Sequence, residues 1–340
     1  MVRDFLFRLF PPDGLLRRAV NCLLPVVDLL LLPFTLLASI LLCAIRMAGV
    51  ERFPAARWAF KKAGVFPIRD QYYEPLVNPD HLHRPLDEPR DLPGVNWSDE
   101  EQLQLLGQFK YEEELLAFPW EPAGDGGYYF GNPAFGPGDA DILYGLVRHL
   151  KPRRFIEIGC GHSTLLVQSA IRRNRDENKD YQCRHVCIEP YEAPWLAELD
   201  VELIRERLEQ MDLELFDELE AGDILFIDSS HVIRPQGDVL REYLEILPRL
   251  AKGVWVHVHD ICTPRDYPTS WITDEIKLWN EQYLLEAFLS HNRDFRVAWM
   301  MGHMFQAHPK AVLKGCPGLQ RARKEGHNVV GGSFWMEKVG

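Results

Sequence analysis

The pattern of apolar and polar positions divides the chain into three stretches. The first 50 residues hold an apolar run without a charge, LLLLPFTLLASILLCAI, from Leu29 to Ile45. As a helix it reaches about 26 Å, close to the ~30 Å hydrocarbon core of a bilayer, and it predicts membrane association through residues 22–45. It starts late and lacks a small-x-small site after it, so a secretory signal fits poorly. Arg3, Arg8, Arg17 and Arg18 precede the run; Arg46, Arg52, Arg57, Lys61 and Lys62 follow it. The basic flanks nearly tie, so charge bias picks no single orientation. The expectation is a helix broken near Pro33 that re-enters, with both flanks on the cytoplasmic face. The plain alternative is a buried helix of a soluble domain.

Residues 51–127 read as a connector and cap. Up to about residue 100 they are rich in Pro, Arg and aromatics and predict irregular but ordered chain. Ser98 to Ala117 predicts one helix, with Ser98 and Glu101 spaced as a capping box. The loop GDGGYYFGNPAFGPGDA follows. Such Gly/Pro/aromatic loops line pockets, which makes Tyr128, Tyr129, Phe130 and Asn132 pocket candidates.

From residue 128 to 340 short apolar runs alternate with helical patterns. Strands are expected at Phe155–Ile158, Arg184–Ile188, Val201–Arg205, Ile224–Ile227 and Gly253–Val258. Helices are expected at Ala140–Leu150 and Ser163–Arg173. Phe295–Met300 and Gly332–Met336 predict a final antiparallel pair. This alternation means an α/β fold, a doubly wound, mostly parallel sheet, preceded by the N-terminal hydrophobic helix.

Charge and cysteines narrow the function. Net charge is −12, which speaks against a nucleic-acid partner. The seven cysteines form no Cys-x-x-Cys pair and read as reduced thiols.

Ligands of doubly wound sheets bind beyond the carboxyl ends of the strands. There the first strand leads into Gly159-Cys160-Gly161. A dinucleotide fingerprint needs another Gly or Ala where Thr164 stands, so a different nucleoside ligand is expected. Glu189 ends the second strand, where a carboxylate can accept both ribose hydroxyls. Glu157, before the glycines, either accepts from a ligand amine or orders the loop. Asp228 and Asp260 end adjacent strands; a divalent cation between them removes their repulsion and activates an acceptor hydroxyl. A neutral histidine nearby, His231 or His259, can take its proton. His257 and His303 and His308 read as a core residue and loop residues, and the Trp271, Trp279 and Tyr283 series as packing. The segment TPRDYPTSWITDE predicts a lid.

The ordered set FIEIGCGHST, IEP, GDILFIDSSH and VHVHD resembles class I S-adenosylmethionine-dependent methyltransferases, over about Tyr128 to Gly340. It is most similar to the bacterial branch that includes metal-dependent sugar O-methyltransferases; WNEQYLLEAFL and GGSFW share that likeness. The resemblance implies a seven-stranded Rossmann-like sheet. It implies Gly159 and Gly161, with Glu157 nearby, at the methionine part of S-adenosylmethionine, and Glu189 on the ribose. Gln210 and Asp212 fall on the adenine side and Asp228 on the cofactor edge. In the sugar branch an acid at Asp228 and an acidic pair after the next strand hold the metal, with a base at His231. Here His259 replaces the first acid of that pair; a divalent cation (Mg²⁺ or Mn²⁺) is still expected on Asp228, His259 and Asp260, with a histidine ligand shifting the preference from Mg²⁺ towards Mn²⁺, Fe²⁺ or Zn²⁺, or His259 serves as a metal-free base.

The resulting expectation is a membrane-associated methyltransferase with a cytoplasmic catalytic domain. Its acceptor is the hydroxyl of a small molecule or lipid-linked glycan. The rivals are a cofactor-binding regulator or scaffold that has lost catalysis, and a metal-dependent hydrolase, which leaves Gly159, Gly161 and Glu189 unexplained.

Overall fold

The structure, a computed structural model, describes residues 15–124, 126–191, 193–329 and 331–340, with side chains from residue 23 onward. Arg3 and Arg8, and the side chains of Arg17, Arg18 and Cys22, lie outside the described residues. The chain forms two compact units, Met1–Leu82 and His83–Gly340.

In the first unit, α1 spans Leu15–Ala48 and contains both Pro25 and Pro33. The break expected near Pro33 is absent. Each proline removes one backbone donor, yet the leucine-rich turns around them stay helical, and the Thr35 hydroxyl donates to the Leu31 carbonyl at 3.1 Å. Among the described residues, α1 is the one helix long and apolar enough to cross a membrane, over Leu23–Ala48. Its Leu29, Phe34 and Leu37 are about 70 % exposed, unlike a soluble core helix. A second helix, α2 (Pro54–Ala63), lies where irregular chain was expected. Pro54 presets the first helical φ and Gly64, at φ 72°, closes the last turn.

The second unit begins with α3 (Asp99–Leu106), capped by Ser98, whose hydroxyl accepts from the Glu101 amide at 3.3 Å. The single helix expected over 98–117 is two: α4 spans Glu112–Leu116. The chain turns between them so that Phe109 packs on Gly145, where a Cβ would come within 2.6 Å of the ring. Tertiary packing overrides the local helical preference.

Next come α5 (Asp139–Leu150), β1 (Arg154–Ile158), α6 (His162–Glu177), β2 (Arg184–Ile188), β3 (Glu202–Ile204) and β4 (Ile224–Ile227). They are followed by β5 (Trp255–Val258), α7 (Glu281–Leu289), β6 (Phe295–Met300), α8 (Met301–Ala307) and β7 (Phe334–Lys338). The sheet has seven strands in the order β3-β2-β1-β4-β5-β7-β6. The first five are parallel, and β7 runs antiparallel between β5 and β6. The strand expected at 332–336 starts two residues later, because the Gly332 and Ser333 amides donate to Asp139 instead, at 2.9 and 2.8 Å.

Alternation along the strands sends Phe155, Phe226 and Trp335 to the core face covered by α5 and α6. Ile156, Ile158, Leu225, Ile227 and Val256 go to the other, against Phe216, Val239 and Tyr243. Apolar cover on both faces is what a parallel sheet requires. It leaves the carboxyl edge of β1, β2, β4 and β5 as the place where polar side chains collect.

Candidate active site

On β1, Glu157 shares the face of Phe155 and has no exposed surface. A carboxylate there needs full hydrogen bonding. It accepts from Ser163 Oγ at 2.5 Å and Thr164 Oγ1 at 2.8 Å, with His185 Nε2 at 3.2 Å. Ser163 and Thr164 open α6, so Glu157 ties the end of β1 to that helix. Of its two expected roles, the loop-ordering one is occupied. Cys160 and Cys187 thiols also converge on this carboxylate, whose oxygens are already engaged.

The turn itself depends on Gly159. Its φ is +77°, and a Cβ would lie 1.8 Å from the Asp228 carbonyl oxygen. Only glycine allows the loop after β1 to press against the end of β4. At Gly161 a Cβ would meet nothing within 4 Å, so the loop faces open space. Glu189 stands at the end of β2, accepting from the Tyr191 amide at 2.8 Å, with the Cys160 amide 3.5 Å from its other oxygen. Burial pushes the Cys160 thiol well up, which removes it as a nucleophile. Gln210 and Asp212 are exposed, at and just after the turn Leu208–Gln210 that follows β3.

The chemistry concentrates at the ends of β4 and β5. His231 and Asp260 both have left-handed backbones, φ 58° and 55°, a conformation uncommon for non-glycine residues. The result is convergence. His231 Nε2 lies 3.3 Å from Asp228 Oδ1 and 3.7 Å from Asp260 Oδ2, while Nδ1 lies 2.8 Å from Glu281 Oε2. Glu281, the first residue of α7, has no exposed surface and also accepts from Tyr243 at 3.2 Å. Burial alone would lower the His231 pKa; the Asp228 and Glu281 carboxylates outweigh it and raise it well above the ordinary value. Asp228 is lowered, because His259 and His231 outweigh its burial, whereas burial keeps Asp260 raised.

The donors of Asp228, His231 and Asp260 all lie within 4.8 Å of one another. Separations of 3.3 and 3.7 Å suit neighbouring ligands of a small cation with bonds of about 2.1 Å, so the residues fit a divalent ion. His259, the third ligand expected from the sequence, is not among these three. Its Nε2 stands 3.8 Å from Asp260 Oδ1, and its Nδ1 is turned back to His257 Nε2 at 3.3 Å. His257 stacks on Phe226 at 4.1 Å and is driven well below its ordinary pKa by burial, a neutral core histidine as expected.

Other candidates resolve as structure. Tyr128 and Phe130 are buried, Tyr128 donates to the Phe135 carbonyl, and Asn132 closes the same turn. Tyr129 packs edge-on to His162 at 5.6 Å. His303 lies in α8, and with His308 it clamps Asp99 at 2.8 Å each. Trp279, however, sits 4.3 Å from the His231 ring and forms a wall with Trp271. Two contributors carry no signal in the sequence: Glu281 and the placement of Trp279. Glu281 lies within WNEQYLLEAFL, but no spacing rule links it to His231. A cavity of about 1130 Å³ lies elsewhere, around Phe109, Tyr144 and Arg173, and is lined by none of these residues.

Known proteins resemble parts of this chain. Residues 156–261 match the family described as "Methyltransferase domain", the segment from β1 to just beyond β5. An uncharacterized protein of Archaeoglobus fulgidus is 25 % identical over 173 residues, 47 % of this chain and 76 % of that protein. Among solved structures, a Plasmodium falciparum chain described as a protein-L-isoaspartate O-methyltransferase, in complex with S-adenosyl-L-homocysteine, is 11 % identical. That likeness covers 48 % of this chain and 84 % of the other, with a TM-score of 0.28. The second unit thus holds a Rossmann-like, seven-stranded, mostly parallel sheet, and residues 156–261 within it match a methyltransferase domain.

Proposed function

We propose that the protein is an S-adenosylmethionine-dependent O-methyltransferase, acting on a hydroxyl of a small-molecule or lipid-linked glycan at a membrane. The observation that carries this reading is His231 Nε2 held between Asp228 and Asp260 with Glu281 behind it, one strand away from the Gly159 loop. The cofactor supplies an electrophilic methyl group. Gly159 and Gly161 leave room for it, and Glu189 offers its carboxylate to the ribose. Gln210 and Asp212 flank the adenine end. Asp228 and Asp260 orient the acceptor hydroxyl, and His231 takes its proton at Nε2 while Glu281 fixes the tautomer and steadies the resulting cation. Trp279 and Trp271 screen the site from water. Apolar α1 and cytoplasmic cofactor supply support a membrane-associated protein with a cytoplasmic catalytic unit.

The convergence of Asp228, His231 and Asp260 favours a second form of the same reaction. These three would hold Mg²⁺ or Mn²⁺, lowering the pKa of the acceptor hydroxyl, and His259 then becomes the proton acceptor. A cofactor-binding regulator or scaffold without catalysis is the alternative; it predicts binding with no turnover. The test supplies isotope-labelled S-adenosylmethionine and a bacterial membrane extract to the full chain. Label is expected in the glycolipid fraction with the wild type and not with His231→Ala or Asp228→Ala. Equal labelling by all three would sink the reading.

A further inference from the structure

The first unit carries a surface that the methyltransferase reading does not use. The sequence of α2, PAARWAFKKA, contains three cations and no acid, in a chain of net charge −12. At about 100° per residue, Ala56 and Phe60 share one side. They are its half-buried residues, and Phe60 packs edge-on to Phe66 at 6.0 Å. Arg57, Trp58, Lys61 and Lys62 project from the other side and are exposed, Trp58 by 63 %.

This helix follows directly on α1. Ala48 gives way to Gly49 at φ 94°, a single tight turn covers Val50–Arg52, and α2 begins at Pro54. A second segment is tied to the same place. Arg46, in the last turn of α1, bonds Glu74 at 2.5 Å and lies over the Phe66 ring at 4.8 Å. Arg69 also donates to Glu74, through its side chain at 3.0 Å and its amide at 2.8 Å. Next to Glu74, Tyr72 and Tyr73 are 93 % and 88 % exposed. An exposed tryptophan among cations and two exposed tyrosines thus gather at the end of one apolar helix.

We infer that α2, with Tyr72 and Tyr73, forms an interfacial platform that docks on an anionic lipid surface at the C-terminal end of α1. Tryptophan and tyrosine rings settle at the headgroup level, apolar body inward and polar edge in water. Arg57, Lys61 and Lys62 would meet lipid phosphates, with their stems laid along the interface. Continuity with α1 selects a bilayer over a protein partner, and the excess of cations selects an anionic leaflet. The inference rests on α1 lying in a membrane and adds a second attachment that reads lipid charge.

The test is hydrogen exchange on the full chain, reconstituted into nanodiscs of pure POPC or of POPC with a quarter POPG. Three cations near such a surface shift the local docking equilibrium on the order of a hundredfold. Amides of residues 54–63 are therefore expected to exchange markedly more slowly in the POPG discs. Arg57→Glu/Lys61→Glu/Lys62→Glu should erase that difference while leaving the far-UV spectrum unchanged. Residues 23–45 should be protected in both disc types. Equal exchange of 54–63 in the two lipids, with 23–45 protected, overturns the platform and leaves the membrane reading standing. Unprotected 23–45 in both overturns the membrane reading itself. Protection of 54–63 that grows with protein concentration and ignores lipid charge assigns the surface to a second copy and also overturns the inference.

Discussion

His231 and Glu281 are fifty residues apart in sequence and 2.8 Å apart in space, Nδ1 to Oε2. The carboxylate has no exposed surface, so it fixes the ring with Nε2 pointing at Asp228 and Asp260. Glu281→Gln keeps the shape and removes the charge. Turnover should fall by about 10- to 100-fold, as for carboxylates that orient a working histidine, with the affinity for S-adenosylmethionine unchanged. A matched loss of cofactor affinity would mean that Glu281 serves only the fold.

The same pair sets a pH dependence. The folded pKa of His231 is raised, so its proton stabilises the folded state at low pH, and that contribution is lost as pH rises through the folded pKa. Catalysis runs the opposite way, because a base must be neutral. A kcat/KM profile should rise with pH, with its midpoint above the ordinary histidine value. Adding Mn²⁺ should move that midpoint down, since a cation on Asp228, His231 and Asp260 replaces the proton on Nε2.

Metal binding separates the two histidines. Asp228→Asn and Asp260→Asn should each weaken Mn²⁺ binding, read by the paramagnetic signal of bound ion, whereas His259→Ala should leave it nearly intact. The reverse ranking for His259 would restore the ligand set expected from the sequence.

Position 159, in the loop after β1, should tolerate no side chain. Gly159→Ala places a Cβ against the Asp228 carbonyl at a positive φ. It should destabilise the protein by about 1 kcal/mol or more and abolish cofactor binding, measured by calorimetry on protein whose circular dichroism is native.

The central parallel strands β1, β4 and β5 were readable because each is a short, mostly apolar run bounded by turns, and burial on both faces demands such runs. The Gly159 loop and Glu189 were readable because the ends of β1 and β2 are local events. α2 was signalled by Pro54 and Gly64 but hidden by the surrounding prolines and arginines. Glu281 and Asp139 could not be found that way. Their partners, His231 and the amides of Gly332 and Ser333, are brought to them by the sheet, and no periodicity encodes that. Strand alternation turns His259 Nδ1 to His257 and leaves Nε2 3.8 Å from Asp260 Oδ1, while the left-handed turn at His231 brings that ring to Asp228 and Asp260.

The most direct test of the account is calorimetric titration of S-adenosylmethionine into the full chain in detergent, once with Mn²⁺ and once with chelator. Micromolar binding is expected in both conditions, lost in Gly159→Ala and weakened in Glu189→Ala. No binding by natively folded protein in either condition would contradict it.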